Sequence, residues 1–451
     1  MRTQKTQEKA GFGSKIGFIL AAAGSAVGLG NIWRFPYLAA KYGGGIFLLV
    51  YLILAVTFGF ALMLTEITIG RRTGKSVMGA YTAMDKRFRP LGWLAGAIPV
   101  IIMPYYCVIG GWVLKYLVVF LTGSGKAAAD NSSFFSNFIG HSWSPLLFFA
   151  IFLLITGSVV MLGVQKGVEK VSKILMPLLL VLIVGIAIYT MTLPGAIQGL
   201  EYYIKPDLSA FSIKTVVAAM GQLFYSMSLA MGIMITYGSY MRKEDHIENS
   251  VRQIEVFDTV VAFLAGMIIV PAVFVFSGGD SSALNAGPSL MFITLPNVFS
   301  DMLGGQIVGT VFFLLVSLAA LTSSISLMET VVSMLEERFH LKRIPACCTA
   351  TGCAFLIGLL SVFGYSIWPD FTIFGKQMLD FFDFVSNNLM MPIVALMTCI
   401  LVGYVVKTTY IESEIEKNER FRSKGLYRIM IRYVCPACML IIFFSSLFMS
   451  F

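Results

Sequence analysis

Apolar residues run through this chain in blocks of roughly 20 or more, the length a helix needs to cross the hydrocarbon of a bilayer. Eleven blocks are predicted as spans, near 14–39, 44–70, 90–121, 145–163, 170–193, 213–240, 255–277, 306–336, 346–366, 380–406 and 427–450. The first block breaks its own pattern. Its middle, "AGSAVGLGNIWRFP" at 23–36, carries Gly24, Gly28 and Gly30 together with Asn31, Arg34 and Pro36. A Gly24-x-x-x-Gly28 pair alone reads as a close helix contact. Packing does not account for Asn31 and Arg34, because polar and charged groups are expensive in a membrane. Unpaired backbone in hydrocarbon costs several kcal/mol per group, so an unwound stretch must line a cavity or hold a ligand. Such a break exposes carbonyls on one side, suited to a bare cation, and N–H groups on the other, suited to a carboxylate.

The sixth block is interrupted in the same way at "YSMSLAMG", residues 225–232. Five spans separate the two breaks, and an odd number inverts the second unit relative to the first. Paired glycine-interrupted spans in corresponding halves point to a transporter binding site at the repeat interface. The expected units are residues 1–212 (spans 1–5) and 213–410 (spans 6–10), with 411–451 an additional span 11.

Composition agrees with this pattern. The chain has 451 residues, 57% of them hydrophobic and 13% charged, with mean hydropathy +0.82. That is a polytopic, all-α membrane protein. The opening Arg2, Lys5 and Lys9 before an apolar run imitate a signal peptide, but span after span follows, so that reading is rejected. The net charge of +9 does not call for nucleic acid, because the basic residues fall in alternate loops. Arg71, Arg72, Lys75, Lys86, Arg87 and Arg89 share one, and Lys417, Arg420, Arg422 and Lys424 share another. This places the amino terminus in the cytoplasm and, with eleven spans, the carboxyl terminus outside. The seven cysteines lie within spans or near their cytoplasmic ends, so no structural disulfide is expected. "CPAC" at 435–438 has redox spacing but sits in an apolar span. The three histidines form no cluster, and no nucleophile–base pair falls in the spans, which argues against a membrane-embedded enzyme.

The stretch "GSAVGLGNIWRFPYLAAKYGGG" resembles the first-span signature of the neurotransmitter:sodium symporter family. The likeness runs from residue 9 to about 410 through "GQLFYSMSLAMG", "LTSSIS" and "DFFDF". The resemblance implies a leucine-transporter-like fold of inverted five-helix repeats with spans 1 and 6 unwound. It implies two sodium sites. The first uses Ala26, Asn31, Ser226, Asp258 and the substrate carboxylate; the second uses carbonyls of Gly24, Val27 and Ala319 with the hydroxyls of Thr322 and Ser323. Oxygen ligands suit a hard cation.

The substrate implied is an α-amino acid. Its carboxylate meets the Ala26 and Gly30 backbone and the Tyr106 hydroxyl, and its ammonium meets carbonyls near Tyr225 and Ser226, with Ser228 close by. Ser25 stands where monoamine carriers of the family place an aspartate, which argues against an amine lacking a carboxylate. Matching positions give Ile102, Tyr106, Tyr225, Ser228, Met231, Ser326 and Leu327 as the wall. An apolar lining with an adaptable methionine favours a large hydrophobic or aromatic amino acid. Arg34 and Asp383, with Gln222 nearby, match an outer gate. Lys9 and Glu337 match an inner gate, with Tyr240 in its closure network; Lys9 also reads as a positive-inside anchor. Lysine cannot make the bidentate fork of the family's usual arginine, and Phe12 stands where tryptophan is common.

Asp258 replaces the asparagine of many members, with Tyr51, Gln222, Ser226 and Ala262 around it. An acidic side chain there supplies the negative charge that animal members take from chloride, so chloride independence is expected; a protonatable counter-transport site is the alternative. Glu66 in span 2 is expected to brace the unwound first span. The chain is thus read as a sodium-coupled symporter of a neutral amino acid, working by rocking spans 1, 2, 6 and 7 against the rest. An amino-acid sensor or an uncoupled channel-like relative on the same fold is the alternative. The partners expected are substrate, sodium and the lipid of a bacterial inner membrane, with no obligatory protein partner and no nucleic acid.

Overall fold

A computed structural model describes residues 11–276 and 289–448. Among them, nine unbroken helices are long and apolar enough to cross a membrane. In chain order these are span 2 (Gly45–Thr73), span 3 (Lys86–Leu121), span 4 (Trp143–Met161), span 5 (Val164–Met191) and span 7 (Ile247–Phe276). Span 8 (Gly305–Phe339), span 9 (Arg343–Phe363), span 10 (Met378–Val405) and span 11 (Lys424–Leu447) follow. Span 1 is a tenth, bent by 54° between Lys15–Ala26 and Gly30–Lys41. The remaining expected span, 213–240, is two short helices, Ile213–Ser226 and Ile233–Tyr240. Residues 227–232 between them belong to neither. Each half alone is too short to cross, which is why length and hydropathy leave this span out.

The most apolar stretches of spans 3 and 8 are 78% buried within the protein, against 33% for spans 5 and 11. Spans 3 and 8 therefore form the centre, and spans 5 and 11 turn most of their surface to lipid. Exposed leucines and isoleucines along span 4 (Leu147, Leu154) and span 5 (Ile174, Ile188) fit a lipid face rather than a solvent face. Short helices outside the membrane, Gly125–Asp130, Phe134–Gly140 and Leu295–Asp301, were not expected from the sequence. They are too short to carry a span-length signal.

The break in span 1 comes from close approach. A side chain at Gly24 would meet Thr322 Cβ and Met176 Sδ at 3.2 Å, one at Gly28 would meet Ser323 Oγ at 2.8 Å, and one at Gly30 would meet Tyr225 at 2.9 Å. Spans 3, 5, 6 and 8 thus press onto the bare backbone of span 1. The break in span 6 is conformational instead. Ser228 (φ 52°), Ala230 (φ 59°) and Gly232 (φ 75°) all lie in the left-handed region. Two of these are not glycine, so the surrounding structure must hold the turn. Glu66 does so, accepting the Ala230 N–H at 2.7 Å. This corrects the expectation for Glu66, whose bond is to the sixth span rather than the first.

Candidate binding site at the two broken helices

The two breaks face one another across a small cavity bounded by spans 3 and 8. Serines tie its floor: Ser228 donates to the Ser25 carbonyl at 3.0 Å, and Ser25 donates to Ser228 Oγ at 3.2 Å. Both line the cavity, as do Ala26, Gly30, Ser226 and Tyr225. Span 3 contributes Ile102 and Tyr106, and the loop of span 6 contributes Met231. Leu327 comes from span 8. The Tyr106 hydroxyl accepts the Leu29 N–H at 3.3 Å, so a phenol and a half-helix N-terminus point at the same spot. The wall also includes Leu29, Ile233 and Ser323, which sequence reasoning did not place there. Ile233 begins the second half-helix of span 6, and an isoleucine in an apolar run gives no sign of facing a cavity.

One predicted wall residue is absent. Ser326 is buried outside the lining, where its hydroxyl accepts from Tyr237 at 2.7 Å and donates to the Thr322 carbonyl at 3.0 Å. Both of its hydrogen-bonding capacities are used within the protein.

Beside the cavity, Asp258 is completely buried. Its Oδ1 accepts from the Asn31 amide and from Ser226, each at 2.8 Å, and its Oδ2 accepts from Tyr51 at 3.2 Å. Asn31 also accepts the Gly28 N–H at 3.1 Å. One carboxylate therefore joins spans 1, 2, 6 and 7. All three of its side-chain partners are neutral, so its ionised form has no compensating charge among them and suits a cation. Ala262, one turn farther on, is also fully buried.

The second cluster lies on the other side of the break. Ser323 Oγ lies 3.4 Å from the Gly24 carbonyl, 3.1 Å from Ser25 and 3.4 Å from Val27. Thr322 donates to the Ala319 carbonyl at 3.0 Å. A serine has one proton, so it satisfies one of those three carbonyls. The surplus lone pairs form an oxygen-only environment for a hard cation. No His, Cys, Asp or Glu cluster able to hold a transition metal occurs among the described residues.

The polar residues flanking the cavity differ on the two sides. Toward the predicted outside, Asp383 accepts from Tyr105 (3.2 Å) and Asn387 (2.6 Å). The Arg34 guanidinium lies 5.6 Å above the Tyr225 ring, and Gln222 donates to the Gly30 carbonyl at 2.9 Å. Toward the predicted inside, Phe12 is buried edge-to-face against Phe18, Tyr237 and Tyr240, and its N–H donates to the Tyr240 carbonyl at 2.9 Å. Tyr240 donates to the fully buried Glu329 at 2.8 Å, which Arg343 also grips. Glu337 accepts the Ser76 N–H at 2.5 Å. Lys9 lies outside the described residues.

Comparison with known proteins decides the family. The model of the sodium:neurotransmitter symporter family matches residues 9–135 and 136–450. The chain belongs to this family. Within it, an uncharacterized sodium-dependent transporter of Haemophilus influenzae is 33% identical over 99% of this chain and 100% of its own length. The Bacillus subtilis transporter YhdH is 32% identical over 97% and 98%. The human sodium- and chloride-dependent GABA transporter 2 is 24% identical, matching 98% of this chain and 80% of its own. Among solved structures, MhsT in complex with L-phenylalanine superposes with a TM-score of 0.87 and 37% identity, covering 97% of this chain and 100% of its own. The fold is therefore the inverted-repeat helical fold of these symporters. The chain is a multi-pass, sodium-dependent transporter and not an enzyme.

Proposed function

We propose that the protein imports a neutral, large hydrophobic or aromatic L-amino acid by symport with sodium, using two sodium sites and no chloride. One observation carries the reading. A single apolar cavity meets the N–H end of one broken helix, the carbonyl-rich turn of another and the buried Asp258. The substrate carboxylate sits by Tyr106 and the start of the second half of span 1. The ammonium meets carbonyls of the turn at 227–232. Ile102, Met231, Ile233 and Leu327 surround the side chain. The L-phenylalanine held by MhsT is a molecule that suits such a wall.

Sodium at the Asn31–Ser226–Asp258 site lies against the substrate carboxylate, and each raises the affinity of the other. Sodium among Gly24, Val27, Ala319, Thr322 and Ser323 holds span 1 to span 8. The basic loops supply the orientation, with the amino terminus in the cytoplasm.

The test is uptake of labelled tryptophan, tyrosine and leucine into proteoliposomes, with and without an inward sodium gradient. Accumulation that requires sodium and survives replacement of chloride by gluconate is expected. Sodium-dependent binding without accumulation would mark a sensor, and neither binding nor uptake would reject the substrate class.

A further inference from the structure

A second cavity, of about 430 Å³, lies on the membrane face that carries the connections between spans 6 and 7 and between spans 10 and 11. It sits between the start of span 7 and residues 416–423, which link the helix Thr409–Ile415 to span 11. Two carboxylates and three guanidinium groups line it, Glu248 and Glu419 with Arg252, Arg420 and Arg422. Backbone occupies the carboxylates. Glu248 accepts the N–H groups of Arg422 (2.9 Å) and Ser423 (3.3 Å) just before span 11, and Glu419 accepts the Glu248 N–H (2.7 Å) in the first turn of span 7. Each acid thus serves the start of the facing span, where negative charge is favoured. Arg252 also reaches Glu248, at 3.4 Å, with its guanidinium 4.6 Å above the Phe60 ring, and His246 stands 3.6 Å from Glu419. Among the described residues, the side chains of Arg420 and Arg422 have no ion pair within 4 Å. Guanidinium groups without a counter-charge beside a hollow present their forks to an anion with several oxygens.

Apolar surface begins one turn away. Val256, four residues past Arg252, is 60% exposed, and Leu426 and Ile429 on span 11 are 38% and 56% exposed. In a membrane protein such side chains face acyl chains, so the cavity stands where hydrocarbon gives way to water. Its volume is about fourteen times a water molecule's share of the liquid, which is roomier than an inorganic ion requires. We propose that this cavity binds the phosphate head group of an anionic phospholipid, with Arg420 and Arg422 gripping the phosphate and Arg252 beside them. The acyl chains then run along Val256, Leu426 and Ile429. Basic pockets between spans at a membrane surface suit such head groups. A lipid so seated adds a charged bridge between span 7 and the connection that follows span 10. A soluble phosphate offers the arginines the same oxygens but brings no chains, so experiment can separate the two sources. The cavity lies apart from the one between the broken spans, and the assignment does not depend on what is transported.

The test uses the full chain in a neutral detergent and follows its melting temperature as phosphatidylglycerol is added, with phosphatidylcholine as the zwitterionic control. A ligand of the native state raises the melting temperature, and the midpoint of the rise reports its affinity. Phosphatidylglycerol should raise it and phosphatidylcholine should not. Arg420→Gln with Arg422→Gln should move the midpoint to about thirtyfold more lipid, as loss of two basic contacts implies. Lys86→Gln with Arg89→Gln, the same change of charge on the connection between spans 2 and 3, should leave it in place. Arg420→Lys with Arg422→Lys keeps the charge and removes the forks; its midpoint should fall between parent and glutamine pair, and it serves as the test should the glutamine pair not fold. A midpoint unmoved by the substitutions at 420 and 422, or moved equally by those at 86 and 89, overturns the site. Inorganic phosphate or glycerol 3-phosphate that reproduces the rise and displaces the lipid would assign the cavity to a soluble anion and overturn the lipid assignment.

Discussion

Asp258 has no basic side chain bonded to it, and its three donors are an amide, a serine and a tyrosine. A buried carboxylate so placed gains most from an ion that arrives and leaves. Asp258→Asn should therefore raise the sodium concentration for half-maximal uptake by about tenfold or more, as loss of one direct charge contact implies. It should also make uptake respond to chloride, which the parent should ignore. Ser323→Ala removes the hydroxyl shared among the Gly24, Ser25 and Val27 carbonyls. Sodium dependence should weaken by a similar factor while the helices stay folded, as circular dichroism would report. At this scale the sequence was informative where a residue type was out of place in hydrocarbon, as with Asn31, Arg34 and the glycines, while Asp258 came into view only through the family resemblance. It misled where a serine is satisfied by its own neighbourhood, as Ser326, expected in the wall, is by Tyr237 and Thr322. Glu66 was legible as a brace, but which of the two breaks it braces depends on how span 2 packs.

The broken elements carry strain that particular bonds offset. Ala230 holds a left-handed conformation that costs a non-glycine residue about 1–2 kcal/mol, and its N–H rests on Glu66. Glu66→Ala should leave that N–H without its partner and lower stability by about 1–3 kcal/mol, with substrate binding lost before global unfolding. Ala230→Gly should relieve strain and leave the melting temperature equal or higher. A second element shows how the short connection before span 11 is fixed. The short helix Thr409–Ile415 presents Glu412 to Arg428, with two bonds of 2.7 Å, and to Lys424 at 3.3 Å. The Arg428 bonds hold the Glu412 carboxyl at about 2, below the ordinary 4.5. Because the folded value is the lower one, this pairing stabilises the protein above about pH 4.5 and loses its effect as pH falls toward 2. Melting curves between pH 7 and pH 3 should draw together for parent and Glu412→Gln, with part of the difference remaining at the acid end. Span positions were readable because twenty apolar residues are a strong pattern. The split of span 6 was readable from its residues, whereas the 6-residue helix Gly125–Asp130 and 7-residue helix Phe134–Gly140 were not, since so few residues hold no periodicity.

Across the whole molecule the two ends of the cavity are not equivalent. Phe12 is sealed among aromatic rings, and buried Tyr240 and Glu329 with partly buried Arg343 form a continuous network behind it. At the other end Arg34 and Asp383 are only half-buried, and no ion pair within 4 Å joins them among the described residues. The shape is that of a carrier closed at its Phe12 end. Phe12→Ala should loosen that end, with uptake falling several-fold and a cysteine placed at Ser239 becoming reactive to polar thiol reagents.

The carbonyls around Ser323 have a consequence for how the folded protein can be weighed. On the proposed second site, oxygens that converge only in the native state bind sodium there and nowhere in the unfolded chain, so salt should enter the folding equilibrium as a reactant. Each bound ion adds about 1.4 kcal/mol of stability per decade of sodium above its dissociation constant. Denaturation followed against sodium, at ionic strength held constant with potassium, thus becomes a stoichiometric titration. One ion gives a slope of about 1.4 kcal/mol per decade and two give about 2.8, so the cargo can be counted on a protein that never moves a molecule of it.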